Sequence, residues 1–416
     1  MRELKYDVVV VGGGPAGTSA ASRAGELGLS VALVENREVL GGVPLQCVHT
    51  GFGVHVFGED LTGTEFIQRL IDRLEGLDVD VMLRAYVHSI EAADGWKSLN
   101  VVSPSGVVRL RARAVIYAAG ARERSLFEIG VTGGRPDGVY TAGEAQALMD
   151  LYGVMPGRSI VIIGSGDVGL IVARRLALEG AQVKAVVEIM PYPGGSMRNV
   201  VTCLHDFSIP LYLRHAVLRI IGARRVEKVV VARVGEDLRP VPGTEFEVEC
   251  DTVIIAAGLR PNVRLLEDVG VAIDPATGGP VVNEYLETSI PGIFAAGNAL
   301  VINDLVDYAV EQGELAAEGA HTFIERGIPR RGWKRVARGR NVRLAVPHYV
   351  SGERDVVIYA RVRQPERRVV IQVPEAGWRL PQMGVRPPEM LRLELTRELL
   401  AKAAGGAITL EVKPLE

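Results

Sequence analysis

The stretch YDVVVVGGGPAGTSAASRAGELGLSVALVE, residues 6 to 35, admits few folds. Val8 to Val11 form a continuous apolar run, which suits a parallel strand buried on both faces. Gly12 allows a tight turn, Gly14 lets the backbone approach a pyrophosphate, and Gly17 lets a helix pack closely on the strand. Pro15 and Ala16 complete this fingerprint and open the helix. The helix N-terminus offers N–H groups and a positive dipole end to phosphate. Glu35 closes the second strand 23 residues after Gly12. The acid that bonds a ribose in such units is expected about 20 residues on. A lone glycine pattern is a weak signal, but this one has its strands, its helix and its acid. It predicts a dinucleotide site.

The pattern returns in RSIVIIGSGDVGLIVARRLALEGAQVKAVVE, residues 158 to 188. Gly164, Gly166 and Gly169 take the three glycine roles, with Asp167 and Val168 between them, and Glu188 follows 24 residues after Gly164. An acid at that place accepts from a ribose 2′-hydroxyl and repels a 2′-phosphate. The next basic residue is Arg198, so the second site is expected to prefer NAD(H) over NADP(H).

Two shorter stretches resemble each other: RAVIYAAGARER and DTVIIAAGLRPN. Each reads as a strand ending in Ala-Ala-Gly and then a basic residue. They bracket the second nucleotide unit, which is therefore expected to be inserted into the first. The chain continues TSIPGIFAAGNALVINDLVDYAVEQGELAAEGA, a strand, a glycine turn and a long helix. The expected division is a first domain over 1–125 and 262–328, a second over 126–261, and a third over 340–416. The third contains the β-rich runs DVVIYARVR, RRVVIQV and AITLEVKPL, separated by Pro and Gly. Before it, RRGWKRVARGRNVR holds seven basic residues and no acid. It reads as an exposed connector, with a partner-binding surface as the other reading. The fold class is α/β: two Rossmann-like domains, one inserted in the other, and a small mostly-β C-terminal domain.

A length of 416 residues fits two or three domains of roughly 100–200 residues each. A net charge of −3 makes no case for nucleic acid as a partner. Cysteines at 47, 203 and 250 build neither a disulfide framework nor a zinc cluster, so no metal is expected and a cytoplasmic location is. MRELK runs directly into a strand without an apolar leader. No apolar run reaches the roughly 18–20 residues that span a bilayer.

With these motifs in order, the chain resembles the pyridine nucleotide-disulfide oxidoreductase superfamily. The resemblance rests on VVVVGGGPAG, AAGARER, IIGSGDVG, AAGLRPN and GIFAAGN, and covers residues 5 to about 325. It implies that the first fingerprint holds FAD and the inserted one holds NAD(P)H, with nicotinamide against flavin. On that basis the FAD contacts are Gly12, Gly14, Pro15, Ala16, Gly17, Glu35, Gly41, Gly42, Ala119, Gly120, Gly297, Asn298, Gln312 and Gly313. The NAD contacts are Gly164, Gly166, Asp167, Val168, Gly169, Glu188 and Gly258. The helix containing DYAVEQGELAA is expected to point its positive end at the flavin and stabilise reduced flavin. The stretches GGVPLQCVHTGFG, DLTGTEF, VVEIMPYPGG and GNALVINDLVDYAVEQGELA look like a narrower group. That group accompanies glycerol-3-phosphate dehydrogenase-type flavoproteins, with distant relatives among subunits of sarcosine oxidase, hydrogen cyanide synthase and dye-linked amino-acid dehydrogenases. This implies a partner dehydrogenase subunit, with an iron–sulfur subunit as a further candidate partner. Two positions depart from the superfamily pattern. Asn298 stands where Asp is common, and Ile171 stands where a glutamate often follows the second fingerprint.

Disulfide reductases of this superfamily place two cysteines, with four residues between them, soon after the first fingerprint. Around Cys47 there is no second cysteine, and Cys203 and Cys250 form no Cys-x-x-Cys pair. His348 is isolated and makes no convincing counterpart of the superfamily's C-terminal His-Glu base pair. Disulfide reduction is therefore not expected. Cys47 is either a packing residue or a single thiol cycling through sulfenic acid. His49 and His55 read as loop structure. Three functions stay open: an FAD-dependent NAD(H) oxidoreductase acting as a dehydrogenase subunit, a self-contained NADH oxidase or peroxidase using Cys47, and a flavin-bearing scaffold with an inactive NAD site.

Overall fold

In the computed structural model, which describes residues 2–93 and 95–415, the valines of Val8–Val11 are buried at the centre of a parallel sheet. Their strand, Arg2–Val11, pairs in parallel with Val31–Val34 on one side and Gly106–Tyr117 on the other. Val79–Met82 extends the sheet beyond Val31–Val34, and Ile293–Ala295 adds a further parallel strand against Gly106–Tyr117. The other end of Gly106–Tyr117 carries an antiparallel meander with Trp96–Ser103 and Tyr86–Ala93. Apolar side chains can fill both faces because helices cover one and the meander and neighbouring loops the other.

The chain folds as two compact units: Arg122–Arg260, and everything before and after it. In the larger unit, helix Pro15–Glu26 packs on helix Val306–Arg326 through small residues, Ala16, Ala20 and Ala24 against Ala309, Gly313, Ala316 and Ala320. The approach is so close that a Cβ on Gly313 would stand 2.2 Å from Ala16 O. The smaller unit has its own five-stranded parallel sheet. Its order is Val139–Thr141, Thr252–Ile255, Ser159–Ile163, Gln182–Glu188 and Leu211–Leu213. A second sheet built around His215–Ile221, Lys228–Arg233 and Phe246–Glu249 packs against it. The α/β class with twin Rossmann-like sheets is thus as the sequence led us to expect.

The C-terminal segment forms two sheets around a core of its own, from Val336 to Val412. It also contributes Leu344, Val346, Tyr359 and Met390 to the core beneath helix Val306–Arg326. Glu311 on that helix accepts from Tyr359 Oη at 2.6 Å and pairs with Arg392. The reading of residues 330–343 as an exposed connector is corrected here. Lys334–Arg338 is a strand paired in parallel with Ala407–Pro414, and Val342–Val346 is a strand of the second sheet. The basic side chains misled because several are matched by carboxylates. Arg330 meets buried Glu287 at 2.7 Å, Arg338 meets Asp274 at 3.3 Å and Arg340 meets Glu366 at 2.7 Å. Among the described residues no helix is long and apolar enough to cross a membrane, and no cluster of metal-ligating side chains is present.

Candidate functional site: two dinucleotide cradles

Each unit places its fingerprint strand between the strand that ends in an acid and the strand that ends in Ala-Ala-Gly. In the larger unit Gly12 N donates to Val34 O and Ala118 N to Val11 O, both at 2.8 Å. In the smaller unit Gly164 N donates to Val187 O at 2.8 Å and Ala256 N to Ile163 O at 2.7 Å. Gly12 and Gly164 turn with φ of +102° and +101°, which only glycine adopts freely. A Cβ on either would stand within 2.5 Å of the Ala118 or Ala256 carbonyl oxygen. The third glycines are also confined, Gly17 more than Gly169: a Cβ on Gly17 would lie 1.7 Å from Gly12 O, and one on Gly169 would lie 2.7 Å from Gly164 O.

Both acids are buried and face their glycine turns. Glu35 Oε2 accepts from Gly13 N at 2.7 Å, and its Oε1 accepts from Arg37 N at 2.8 Å. Glu188 Oε2 accepts from Ser165 N at 2.9 Å and Ser165 Oγ at 2.6 Å, while Oε1 accepts from Met190 N at 2.9 Å. A carboxylate has about four acceptor sites, so each keeps capacity for a ribose hydroxyl. A Gly-Gly pair begins six residues after each acid and folds back on the turn. Gly41 N donates to Gly13 O at 2.8 Å, and a Cβ on Gly42 would stand 3.1 Å from Gly14 Cα. Gly194 N donates to Ser165 Oγ at 2.8 Å, and a Cβ on Gly195 would stand 2.7 Å from Asp167 Oδ1. Ser165, Gly194 and Gly195 were missed in the sequence, although the repeated Gly-Gly spacing was there to be seen.

The two cradles differ at the helix start. Helix Pro15–Glu26 has no side-chain cap and no acid in its first turn, so its N–H groups and dipole are available to an anion. Backbone lines this cradle on both sides, at Gly14 and Gly42, and the residues fit an FAD pyrophosphate. Helix Asp167–Leu178 instead carries Asp167 in its first turn. The Asp167 carboxylate accepts from Ser196 N at 2.9 Å and Asn199 Nδ2 at 2.7 Å. It therefore holds the following loop, and what the helix start offers a phosphate is its backbone N–H groups. Val168 beside it is 43% exposed.

The remaining sequence-chosen positions fall around the first cradle or behind it. Ala119 O and Gly120 O accept from Asn262 Nδ2 and N, both at 3.0 Å, which ties the first Ala-Ala-Gly to the return of the chain. Asn298 is half-buried, and its Oδ1 accepts from Asn303 N at 2.9 Å, leaving its Nδ2 for a ligand hydroxyl. Two further expected flavin contacts, Gln312 and Gly313, lie on helix Val306–Arg326. Gln312 is fully buried, its Oε1 accepting from Gly297 N and its Nε2 donating to Asn303 Oδ1. Gly313 is committed to the approach to Ala16 described above. Both lie about two helical turns from the helix start, and Gln312 holds the turn at Gly297. The helix start itself is not an open positive end. Asp307 sits in its first turn and accepts from His55 N and Val56 N at 3.0 and 2.9 Å.

Cys47 is 6% exposed, its Sγ lies 3.5 Å from Val43 O, and its Cβ packs against Gly63. None of the three cysteines is in a disulfide. Burial raises the Cys203 thiol and pushes Cys250 up to about 11. In the smaller unit, the basic residues that follow the two Ala-Ala-Gly turns converge. Glu128 accepts from Arg122 at 2.8 Å and pairs with Arg260 at 2.9 Å. The Arg122 hydrogen bond, with the Ser125 N–H, brings the Glu128 carboxyl down to about 2.

Comparison with known proteins agrees with this geometry. A family model described as pyridine nucleotide-disulphide oxidoreductase matches residues 6–313. The chain is 28% identical over 351 residues to a dihydrolipoyl dehydrogenase of Pseudomonas aeruginosa, covering 76% of this chain and 70% of that protein. It is 27% identical over 353 residues to the glutamate synthase [NADPH] small chain of Mycobacterium tuberculosis, covering 76% and 66%. Among solved structures, T. acidophilum thioredoxin reductase superposes with a TM-score of 0.65 at 26% identity, covering 76% of this chain and 98% of that one.

Proposed function

The chain belongs to the pyridine nucleotide-disulphide oxidoreductase family, and from that premise we propose that it passes hydride between NAD(H) and bound FAD as one subunit of a heteromeric dehydrogenase. The observation that carries this reading is the pair of cradles, each with a buried acid bonded to its own glycine turn. Gly12, Gly14, Gly17 and Glu35 would hold FAD, and Gly164, Gly166, Gly169 and Glu188 would hold the nicotinamide dinucleotide. Bound FAD would supply the hydride-accepting and hydride-donating chemistry; the protein's part is binding, orientation and exclusion of water.

NAD(H) is favoured over NADP(H) because buried Glu188 would meet a 2′-phosphate, and the next basic residue, Arg198, comes only ten residues later, exposed in the turn Met197–Asn199. A disulfide reductase is disfavoured because the three cysteines are buried, out of disulfides and far apart in sequence. Such cysteines suit a reducing cytoplasm. The subunit role draws support from the likeness to a glutamate synthase small chain. One feature favours a second reading, a flavin-bearing scaffold with a weak NAD site: Asp167 brings negative charge to the cradle that must receive pyrophosphate.

Anaerobic titration of the purified holoprotein with NADH, and separately with NADPH, separates these readings. Bleaching of the flavin band by NADH at lower concentration than by NADPH is the expected result. Bleaching by neither would overturn the oxidoreductase reading and leave the scaffold.

A further inference from the structure

Arg124 carries a buried Nε–H that has no hydrogen-bond partner among the described residues. The side chain is nevertheless held in place. Its Nη2 donates to Glu128 O at 2.7 Å, and its backbone N donates to Gly258 O at 3.1 Å. On the open face of Gly258, the nearest atom to where a Cβ would stand is Arg124 Cδ, at 3.8 Å. A cationic donor withdrawn from water and left unmade is costly, and such a group in an otherwise satisfied neighbourhood points to a ligand.

The topology says which ligand. Strand Thr252–Ile255 lies beside Ser159–Ile163, on the side away from Gln182–Glu188. In open α/β sheets a dinucleotide crosses the carboxyl ends of the strands at this reversal of strand order. With the adenosine ribose at Glu188, the nicotinamide half runs to the other side, over Ala256–Gly258, where Arg124 stands. The cradle also needs a cation, because Asp167 sets a carboxylate in the first turn of its helix, where the larger unit has Pro15.

We propose that Arg124 binds the phosphate on the nicotinamide half of NAD(H) and offsets the charge of Asp167. This rests on the reading of the smaller unit as the NAD(H) site. Glu128 serves as the support, its backbone oxygen orienting Arg124 while its carboxylate gathers Arg122 and Arg260.

The test is calorimetric binding of NAD+, nicotinamide mononucleotide and AMP to the holoprotein, its Arg124→Gln variant and its Arg124→Lys variant. Arg124→Gln is expected to raise the Kd for NAD+ and for nicotinamide mononucleotide about tenfold or more, the loss of one charge-assisted hydrogen bond. AMP, which reaches only the Glu188 side, should bind as before, and Arg124→Lys should recover part of the loss. Equal weakening of AMP and the mononucleotide would make Arg124 a structural residue and overturn the proposal, as would no change in either. Should Arg124→Gln lose its flavin, the same split between mononucleotide and AMP is required of Arg124→Lys. Wild-type protein that binds NAD+ without flavin bleaching by NADH sinks the proposed function while leaving the Arg124 comparison decisive. Protein that binds neither NAD+ nor the mononucleotide sinks both.

Discussion

Ser165 Oγ donates to Glu188 Oε2 at 2.6 Å, and both side chains are buried. Ser165 in turn accepts from Gly194 N, so the acid, the glycine turn and the following loop are locked together. Glu188→Ala should weaken NADH binding about tenfold, because it removes the ribose acceptor and releases the loop. The gap between NADH and NADPH should narrow as the negative charge disappears. Anaerobic stopped-flow reduction with each nucleotide checks both, and an unchanged ratio would remove Glu188 from its assigned role.

Gly17→Ala and Gly169→Ala should separate the two cradles. A methyl at Gly17 meets the Gly12 carbonyl at 1.7 Å, a backbone clash that no rotamer relieves, and the variant should purify with little flavin. At Gly169 the nearest atom is 2.7 Å away, so that variant should stay yellow and lose only part of its response to NADH. The ratio of flavin to protein absorbance reads the first effect. An NADH titration reads the second.

Cys47→Ala should retain NADH-driven flavin reduction within about twofold and cost about 1 kcal/mol of stability, as befits a small buried side chain. The packing of Cys47 against Gly63, at the start of helix Gly63–Asp72, is the reason. Oxygen consumption that collapses in this variant would point back to an oxidase using the thiol.

Lys97 is buried, with its Nζ 3.3 Å from Arg113 O and 4.9 Å from the centre of the Phe323 ring. Burial lowers its pKa to about 8, against the pull of Glu287. In the unfolded chain the amine titrates near 10.4, so between those values the unfolded state holds more protons and stability rises with pH. Lys97→Met should therefore be more stable than wild type at pH 7, by about 1 kcal/mol. That advantage should shrink between pH 8 and 10.5, which thermal melts across the range would show. A gap that widens with pH would contradict the assignment.

The cradles were legible in sequence because their residues answer to local rules. A glycine with φ near +100° cannot be replaced without strain, and an acid at the end of the second strand of a βαβ unit has its distance from the turn set by helix length. The resemblance named Gly41 and Gly42, whereas Gly194 and Gly195, at the same offset from their own acid, were passed over. The partners of Gln312 were not legible: its amide bonds Gly297 and Asn303, which the fold brings to it from 15 and 9 residues away.

By itself the sequence determined two parallel sheets with a glycine turn and an acid in each, since buried valine runs, glycine turns and acid spacing act over about 30 residues of chain. Tertiary structure alone decided which charges are met. Arg330, Arg338 and Arg340 look solvated until Glu287, Asp274 and Glu366 are brought to them from 43, 64 and 26 residues away. Arg122 and Arg260 look like unrelated basic residues until one carboxylate, Glu128, receives both. Whether a charge is paired depends on atoms a few ångströms apart in space, and spacing along the chain carries no record of that.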